Sequence, residues 1–190
     1  MGRRSRPTLY LVLIGSAILF AIGMGWYIAR QSPDRVGAAF APQSDETPAV
    51  EKRQVYLYFG DSRGKYLKAE PRVVDQPSDA AAFCRKILSA LIKGPGQGGI
   101  SVLPRNVEIR ALHVMEDGVA FVDFESEAFA DHPGGVESEL LSIYSIVNTL
   151  VLNVDGVRSV KFLIGGQEAA TLAGHVDLSR PFEADILRVR

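Results

Sequence analysis

The segment from Gly135 to Leu152 constrains the fold of this 190-residue chain more than any other part. Apolar residues recur along it at helical spacing, which predicts an amphipathic helix with one strongly apolar face. A Pro-Gly-Gly run marks its start, and Asp155-Gly156 marks its end. Glu137 and Glu139 lie in the first turn, where the helix dipole favours negative charge. Such a helix must bury its apolar face, so the sequence predicts a packed domain around it.

The opposite face of this predicted helix is polar but uncharged. An exposed helix face usually carries Lys, Arg or Glu, and none of these occurs between Leu140 and Val154. Small neutral side chains suit contacts between proteins, so this face is a candidate partner surface. In that case Ser145→Arg should abolish association and leave the fold intact. The alternative is that the face packs on a sheet edge or on the tail from Arg180. The proposed contact residues are Ser142, Ser145, Asn148 and Thr149.

The beginning of the chain has the pattern of a membrane anchor. Residues 9–29 are all uncharged, and at about 1.5 Å per residue they can span a hydrocarbon core of about 30 Å. Residues 1–8 contain three arginines, so the positive-inside rule places them in the cytoplasm. The sequence thus predicts a single-pass protein of the cytoplasmic membrane with its C-terminal domain outside, in the periplasm. A signal peptide cleaved after Ala41 is the alternative.

The remainder divides into a tether, a domain and a tail. Residues 30–54 hold prolines among polar residues without an apolar period, so we expect a flexible tether. The domain is predicted over 55–183 and a C-terminal tail over 184–190. The chain has 21 Lys and Arg against 22 Asp and Glu, and four of the arginines lie at or before Arg30. The exported part is therefore acidic, which argues against a nucleic-acid or anionic-lipid partner.

The predicted elements of the domain alternate between strand pairs and helices. A helix begins after Asp79 and ends at Gly94-Pro95, and Asp117-Gly118 is a hairpin turn. This order favours an α+β fold with two helices packed on one face of a mainly antiparallel sheet. The segments with strand character are 55–59, 66–74, 107–115, 119–124 and 157–164, with a short return at 168–172.

Side chains that could carry chemistry are few and scattered. His113, His132 and His175 lack the spacing that puts two histidines on one helix face, so we expect no metal and no cofactor. Cys84 lies on the apolar stripe of its helix, which suits a buried thiol, and a lone cysteine forms no internal disulfide. The glycine-rich run 94–99 follows a helix instead of opening one, so it is not a phosphate loop.

Asp123, Glu125 and Glu127 alternate along the chain and form an acidic cluster that could act together. In an extended segment the three side chains would point to one side and could gather a hard cation. Glycosidic chemistry would need two carboxyls at a defined separation and one perturbed pKa. The simpler interpretation is a solvated strand end.

The order of motifs over roughly residues 52–183 resembles the GerMN domain of bacterial sporulation and spore-germination proteins. The resemblance implies a domain without catalytic residues, found in membrane-attached or lipid-anchored envelope proteins and similar to ring-building modules of sporulation secretion complexes. The segments that carry it include VYLYF at 55–59, LIKGP at 91–95, DGVAFVD at 117–123, IVNTL at 146–150 and the strand with its turn at 157–166.

Three functions are compatible with this reading. The leading hypothesis is a noncatalytic adaptor or assembly module of the cell envelope, whose partners are envelope proteins or further copies of the chain. The alternative is a peptidoglycan-binding or cell-wall hydrolytic domain that uses Asp123, Glu125 and Glu127. A purely structural spacer would have no partner at all.

Overall fold

The computed structural model describes residues 22–24, 26–27, 51–96 and 98–190. Residues 22–24 and 26–27 are helical. The predicted N-terminus 1–8 lies outside the described residues, as do most of the span 9–29 and most of the tether 30–54, so these stay predictions. Within the described ranges no helix has the length and apolar character needed to cross a membrane. The chain divides into two units, Met1–Pro48 and Ala49–Arg190.

The second unit contains strands and helices in the order that the sequence predicts, followed by a two-residue strand, Phe182–Glu183, that the sequence does not predict. The return after Gly166 is shorter than expected, since only two of its residues pair with the preceding strand. A short 3-10 helix, Ile186–Arg188, lies close to the C-terminal end. The elements are β1 (Lys52–Gly60), β2 (Leu67–Asp75), α1 (Ala80–Ile92), β3 (Ile109–Val114), β4 (Val119–Phe124), α2 (Val136–Val151), β5 (Ser159–Ile164), β6 (Gln167–Glu168) and β7 (Phe182–Glu183).

Two sheets are present in the second unit. β1 and β2 form an antiparallel pair, and β3 to β7 form a five-stranded sheet. In the larger sheet β3–β4 is antiparallel but β4–β5 is parallel, because the crossover through α2 brings the chain back in the same direction. The α+β class and the predominance of antiparallel pairing are confirmed. The expected single sheet is wrong, since the first two strands pair only with each other among the named strands of the described chain.

Both helices contact strands of both sheets. α1 packs against β1, β2 and β3, and α2 packs against β1, β5 and β7 as well as against α1. The prediction that the helices pack on one face of one sheet is therefore too simple. One main core joins the layers, with Phe59, Leu88, Ile146 and Phe162 among its fully or almost fully buried members. Because α2 has strands of two sheets around it, little of its surface is left for solvent.

The first helix follows its local sequence signals closely. Asp79 caps it, since the Asp79 Oδ2 accepts a hydrogen bond from the Ala82 N–H at 2.6 Å. Its apolar stripe is buried, and Cys84 on that stripe has no exposed surface. Burial, with a smaller contribution from the charge of Asp79, raises the pKa of the Cys84 thiol to about 12. The thiol therefore stays protonated and packs as a small apolar group, as predicted.

Candidate functional site

The neutral face of α2 lies inside the domain. Ser142, Ser145, Asn148 and Thr149 each have an exposed fraction of 0%. Most of their hydrogen bonds run to backbone groups of other segments. The fold therefore does not present these four side chains to a partner, which corrects the expectation of a contact surface. They pack instead on a sheet edge and on the tail after Arg180, in the way that the alternative describes.

Three of the polar side chains around α2 close the open edge of β1. Ser145 Oγ donates to the Tyr58 carbonyl oxygen at 2.6 Å, and the Tyr58 N–H donates to Thr149 Oγ1 at 3.2 Å. Asn153 does the same for Tyr56, accepting from its N–H at 2.7 Å and donating to its carbonyl oxygen at 2.8 Å. A bare strand edge would pair with another chain or lose its hydrogen bonds when buried. Short neutral side chains satisfy these groups without burying a charge, which explains the composition of this face.

The other two residues of the neutral face hold two further segments. Ser142 Oγ donates to the Val102 carbonyl oxygen at 2.5 Å. Asn148 clamps the backbone of Asp185, donating to its carbonyl oxygen and accepting from its N–H, both at 2.9 Å. The polar face of α2 thus joins β1, the loop before β3 and the chain after β7 to one helix.

Ser142 also lies near a histidine, at the spacing of a nucleophile and its base. Its Oγ is 2.9 Å from His132 Nε2. The Gly134 N–H donates to His132 Nδ1 at 3.1 Å, so the neutral ring carries its proton on Nε2 and donates it to the serine. A general base would need the opposite tautomer. Burial lowers the pKa of His132, and Ser142 is inaccessible to solvent. The contact between these two side chains therefore has a structural role.

A buried carboxylate anchors the first turn of α2 to the segment before β7. Glu139 has an exposed fraction of 0%, and it accepts hydrogen bonds from the His175 and Val176 N–H groups at 3.0 Å. Its Oε1 also lies 2.6 Å from His175 Nδ1. Burial by itself would raise the pKa of Glu139, but the hydrogen bonds from Val176 and His175 outweigh it and hold the pKa below its ordinary value. Glu139 is therefore ionised at neutral pH and fixes this segment.

The acidic cluster predicted over residues 123–127 does not assemble. The chain turns directly after β4, so the alternation that would align the three carboxyls ends after the first. Asp123 is 4% exposed and accepts hydrogen bonds from Arg110 Nη1 and from the Gly166 N–H, each at 2.9 Å. Glu125 and Glu127 are exposed to solvent. Across the residues that the structure describes, no group of three His, Cys, Asp or Glu is placed to hold a metal ion.

An apolar cleft opens beside the first turns of α2. Its volume is about 250 Å³, and none of the described residues that line it is charged. Hydrogen bonds hold two of its wall residues in place. Ile100 pairs with Gly60 through two backbone hydrogen bonds of 2.9 Å, and Ser142 donates to the Val102 carbonyl oxygen. No motif in the sequence predicts this cleft, since its walls come from separate segments. The apolar walls are Ile100, Val102, Leu103, Pro104, Pro133 and Leu141.

Comparison with known proteins identifies the domain. A family model named Germane, described as sporulation and spore germination, matches residues 56–170. The chain belongs to this family. The resemblance to GerMN domains is thereby confirmed. No match was found among curated proteins.

Solved structures agree with the fold of the Germane domain. A candidate lipoprotein from Clostridium perfringens superposes with a TM-score of 0.50 at 21% identity, over 70% of this chain and 87% of that one. The tandem GerMN domains of the sporulation protein GerM from Bacillus subtilis give a TM-score of 0.53 at 22% identity, over 69% of this chain and 46% of theirs. At these identities the likeness is one of fold.

The matched part of the Germane domain contains the helix, the strand edge and the cleft, but it stops before the tail. Tyr56 is its first residue, so the edge of β1 that Asn153 and Ser145 close belongs to it entirely. Asp185 lies beyond its end. The clamp by Asn148 therefore ties the family domain to residues that the family model does not match.

In the Germane domain Asp123 is buried and hydrogen-bonded, whereas Glu125 is exposed, so substitutions at these two positions should have unequal effects on stability. Asp123→Ala should lower the free energy of unfolding by about 1–3 kcal/mol, because Arg110 and the Gly166 N–H lose a buried acceptor. Glu125→Ala is the matched control and should stay within about 0.5 kcal/mol of the parent. Urea denaturation of each variant measures both values. Equal losses for the two variants would contradict the different roles assigned to them.

Proposed function

We propose that this Germane domain is a noncatalytic assembly module of the cell envelope. An anchor at residues 9–29 and a tether at 30–54 would hold it outside the cytoplasmic membrane, with residues 1–8 in the cytoplasm. Its partners would be envelope proteins or further copies of the chain. Membership of a sporulation and spore-germination family, defined by a process and not by a reaction, supports this proposal.

The observation that carries the proposal is that three polar side-chain pairs of the described domain make contacts within it. Ser142 with His132, Glu139 with His175 and Asp123 with Arg110 all close contacts inside the domain. One member of each pair is also bound to a backbone group, which fixes its position in the domain. The surfaces that the domain offers to other molecules include an apolar cleft beside α2 and exposed aliphatic side chains. Such surfaces suit protein contacts.

A photoreactive amino acid at Ile100, on the rim of the cleft and 45% exposed, tests this role in the full-length protein. Irradiation of intact cells should give a discrete protein adduct that mass spectrometry identifies. Val73, which is 62% exposed on β2, is the matched control position and should give no discrete adduct. Equal background labelling at both positions would contradict a binding role for the cleft.

Protease treatment of spheroplasts should degrade the domain if it lies outside the membrane. Survival of the domain would contradict the proposed extracytoplasmic localisation.

A further inference from the structure

The ring of His132 connects two walls of the apolar cleft through hydrogen bonds. On one side its Nε2 donates to Ser142 Oγ, which donates in turn to the carbonyl oxygen of the wall residue Val102. On the other side its Nδ1 accepts at 3.1 Å from the N–H of Gly134, which follows the wall residue Pro133. A histidine that gains or loses a proton near neutral pH therefore lies between the two sides of the cleft.

The backbone that His132 holds has the freedom to move. Gly134 and Gly135 have φ angles of +72° and +88°, in the left-handed region that glycine adopts at little cost. Their carbonyl oxygens accept from Ser138 Oγ in the first turn of α2, whereas the Gly134 N–H donates to the histidine. Loss of the histidine as an acceptor would free the Pro133 side of this loop, with two glycines to take up the change in conformation.

A second proton on His132 must enter at Nδ1, because Nε2 already carries one. Nδ1 would then point a proton at the N–H of Gly134, and two donors cannot form a hydrogen bond with each other. The contact between Nε2 and Ser142 is compatible with both protonation states. Protonation therefore breaks the contact on the Pro133 side and leaves the contact on the Val102 side.

His175 lies beside the same glycines but does not have this effect. Its Nδ1 is 3.2 Å from the Gly135 nitrogen and 2.6 Å from Glu139 Oε1. Because Glu139 is ionised at neutral pH, this Nδ1 carries a proton that it donates to the carboxylate. A second proton on His175 enters at Nε2 and leaves the contact with Glu139 in place. His132 is therefore the histidine whose protonation acts on the loop.

The groups around His132 set the direction of the effect. The charge of Glu139 on α2 favours protonation, the ring of His175 lies beside Gly134, and the loop before β3 contributes the neutral Val102 carbonyl. Burial outweighs Glu139 and lowers the pKa of His132. In a released loop the ring is solvated, and its pKa returns toward about 6.5. The closed loop is therefore fully stable above about pH 6.5 and loses stability as the pH falls through the closed-form pKa.

We propose that His132 is an acid-sensitive latch whose protonation releases Gly134 and the Pro133 wall of the apolar cleft. The latch rests on the proposed function for its use, because it regulates the cleft that we propose as a binding surface. A wall that is no longer fixed must be ordered again by the partner, which costs conformational entropy. The cleft should therefore bind its partner more weakly in acid.

Amide hydrogen exchange of the full chain in detergent micelles, followed by NMR at about pH 7.5 and about pH 5, tests the latch. After correction for the pH dependence of exchange in unfolded peptides, the Gly134 N–H should lose protection at the lower pH. Glu139 is still ionised there, so its own titration does not contribute. The Gly94 N–H donates to the Leu91 carbonyl oxygen at 2.9 Å, and this control should keep its protection. Unchanged protection of Gly134 would overturn the latch.

The nitrogen resonances of the His132 ring test the chemistry of the latch directly. At about pH 7.5 the proton should lie on Nε2, and a neutral ring with its proton on Nδ1 would overturn the proposal. His132→Asn offers Gly134 an acceptor that does not titrate, so its protection should be the same at both pH values. His113→Asn, at an exposed position on β3, is the matched control and should respond to acid like the parent. The parent spectra decide the question even if His132→Asn does not fold.

Crosslinking at Ile100 separates the latch from the binding role. With a photoreactive amino acid at Ile100, the yield of the discrete adduct in intact cells should be lower at the acidic pH. A yield that does not depend on pH would overturn regulation by the latch. If no adduct forms at either pH while Gly134 loses protection in acid, the binding role is wrong and the release of the loop stands. If the adduct forms while Gly134 keeps its protection, the latch is wrong and the binding role stands.

Discussion

Ser145→Arg is expected to prevent the domain from folding. The serine has no exposed surface, and its hydroxyl donates to the Tyr58 carbonyl oxygen on the edge of β1. Arginine there would bury an unpaired charge and force α2 away from the strand, at a cost of roughly 3–5 kcal/mol or more. That reaches the lower end of the stability of an ordinary domain, which is about 5–15 kcal/mol. Circular dichroism during heating should show no cooperative transition.

Two further variants separate the causes of this loss. Ser145→Ala leaves the Tyr58 carbonyl without its donor and should cost about 1–3 kcal/mol while the domain still folds. Ser89→Arg makes the same change as Ser145→Arg on the exposed side of α1, and it should shift the free energy of unfolding by no more than about 0.5 kcal/mol. If Ser145→Arg melted like the parent protein, the neutral face of α2 would have to be exposed after all.

Glu139→Gln is expected to have the second-largest effect and to change how stability depends on pH. The carboxylate accepts two backbone hydrogen bonds and contacts His175, and hydrogen bonds to a charged group contribute about 1.5–3 kcal/mol each. A single amide oxygen cannot replace them, so we expect a loss of about 2–4 kcal/mol at pH 7 in urea denaturation. Glu137→Gln, in the same turn but exposed, is the control and should change little.

The pH dependence has a definite sign. The folded-state pKa of Glu139 is below its ordinary value, so the unfolded chain binds more protons between the two values. The stability that Glu139 contributes is present above about pH 4.3 and is lost as the pH falls through the folded-state pKa. Between pH 5 and pH 3 the parent should lose more stability than Glu139→Gln does. Parallel pH profiles for the two proteins would contradict the assigned role of this carboxylate.

Local signals explain which parts of the fold the sequence predicts. Asp79 caps α1 at the expected residue, and Asp117-Gly118 turns the β3–β4 hairpin. Local sequence signals do not decide which strands pair with each other. Whether β1 is the only named strand that β2 pairs with in the described chain, and whether β4 lies parallel to β5, depends on how the helices fill the core, which no short motif specifies.

The polar face of α2 shows why the site was harder to predict. Ser142, Ser145, Thr149 and Asn153 follow one stripe at spacings of three and four, and each can both donate and accept a hydrogen bond. The same stripe suits a partner protein or an internal strand edge, so composition alone does not separate the two. The exposed pair Ile186 and Leu187 was not predicted, because residues 184–190 were expected to be a tail.

Hydrogen exchange of individual amides tests the central claim, that side chains of α2 and of Asn153 close the free edge of β1. The Tyr56 and Tyr58 N–H groups should exchange only when the domain unfolds, because Asn153 and Thr149 accept their hydrogen bonds. The Val73 N–H points away from β1 on the other edge of the pair and should exchange much faster. If Tyr56 and Tyr58 exchanged as fast as Val73, that edge would be open in solution and the neutral face of α2 would be available to a partner.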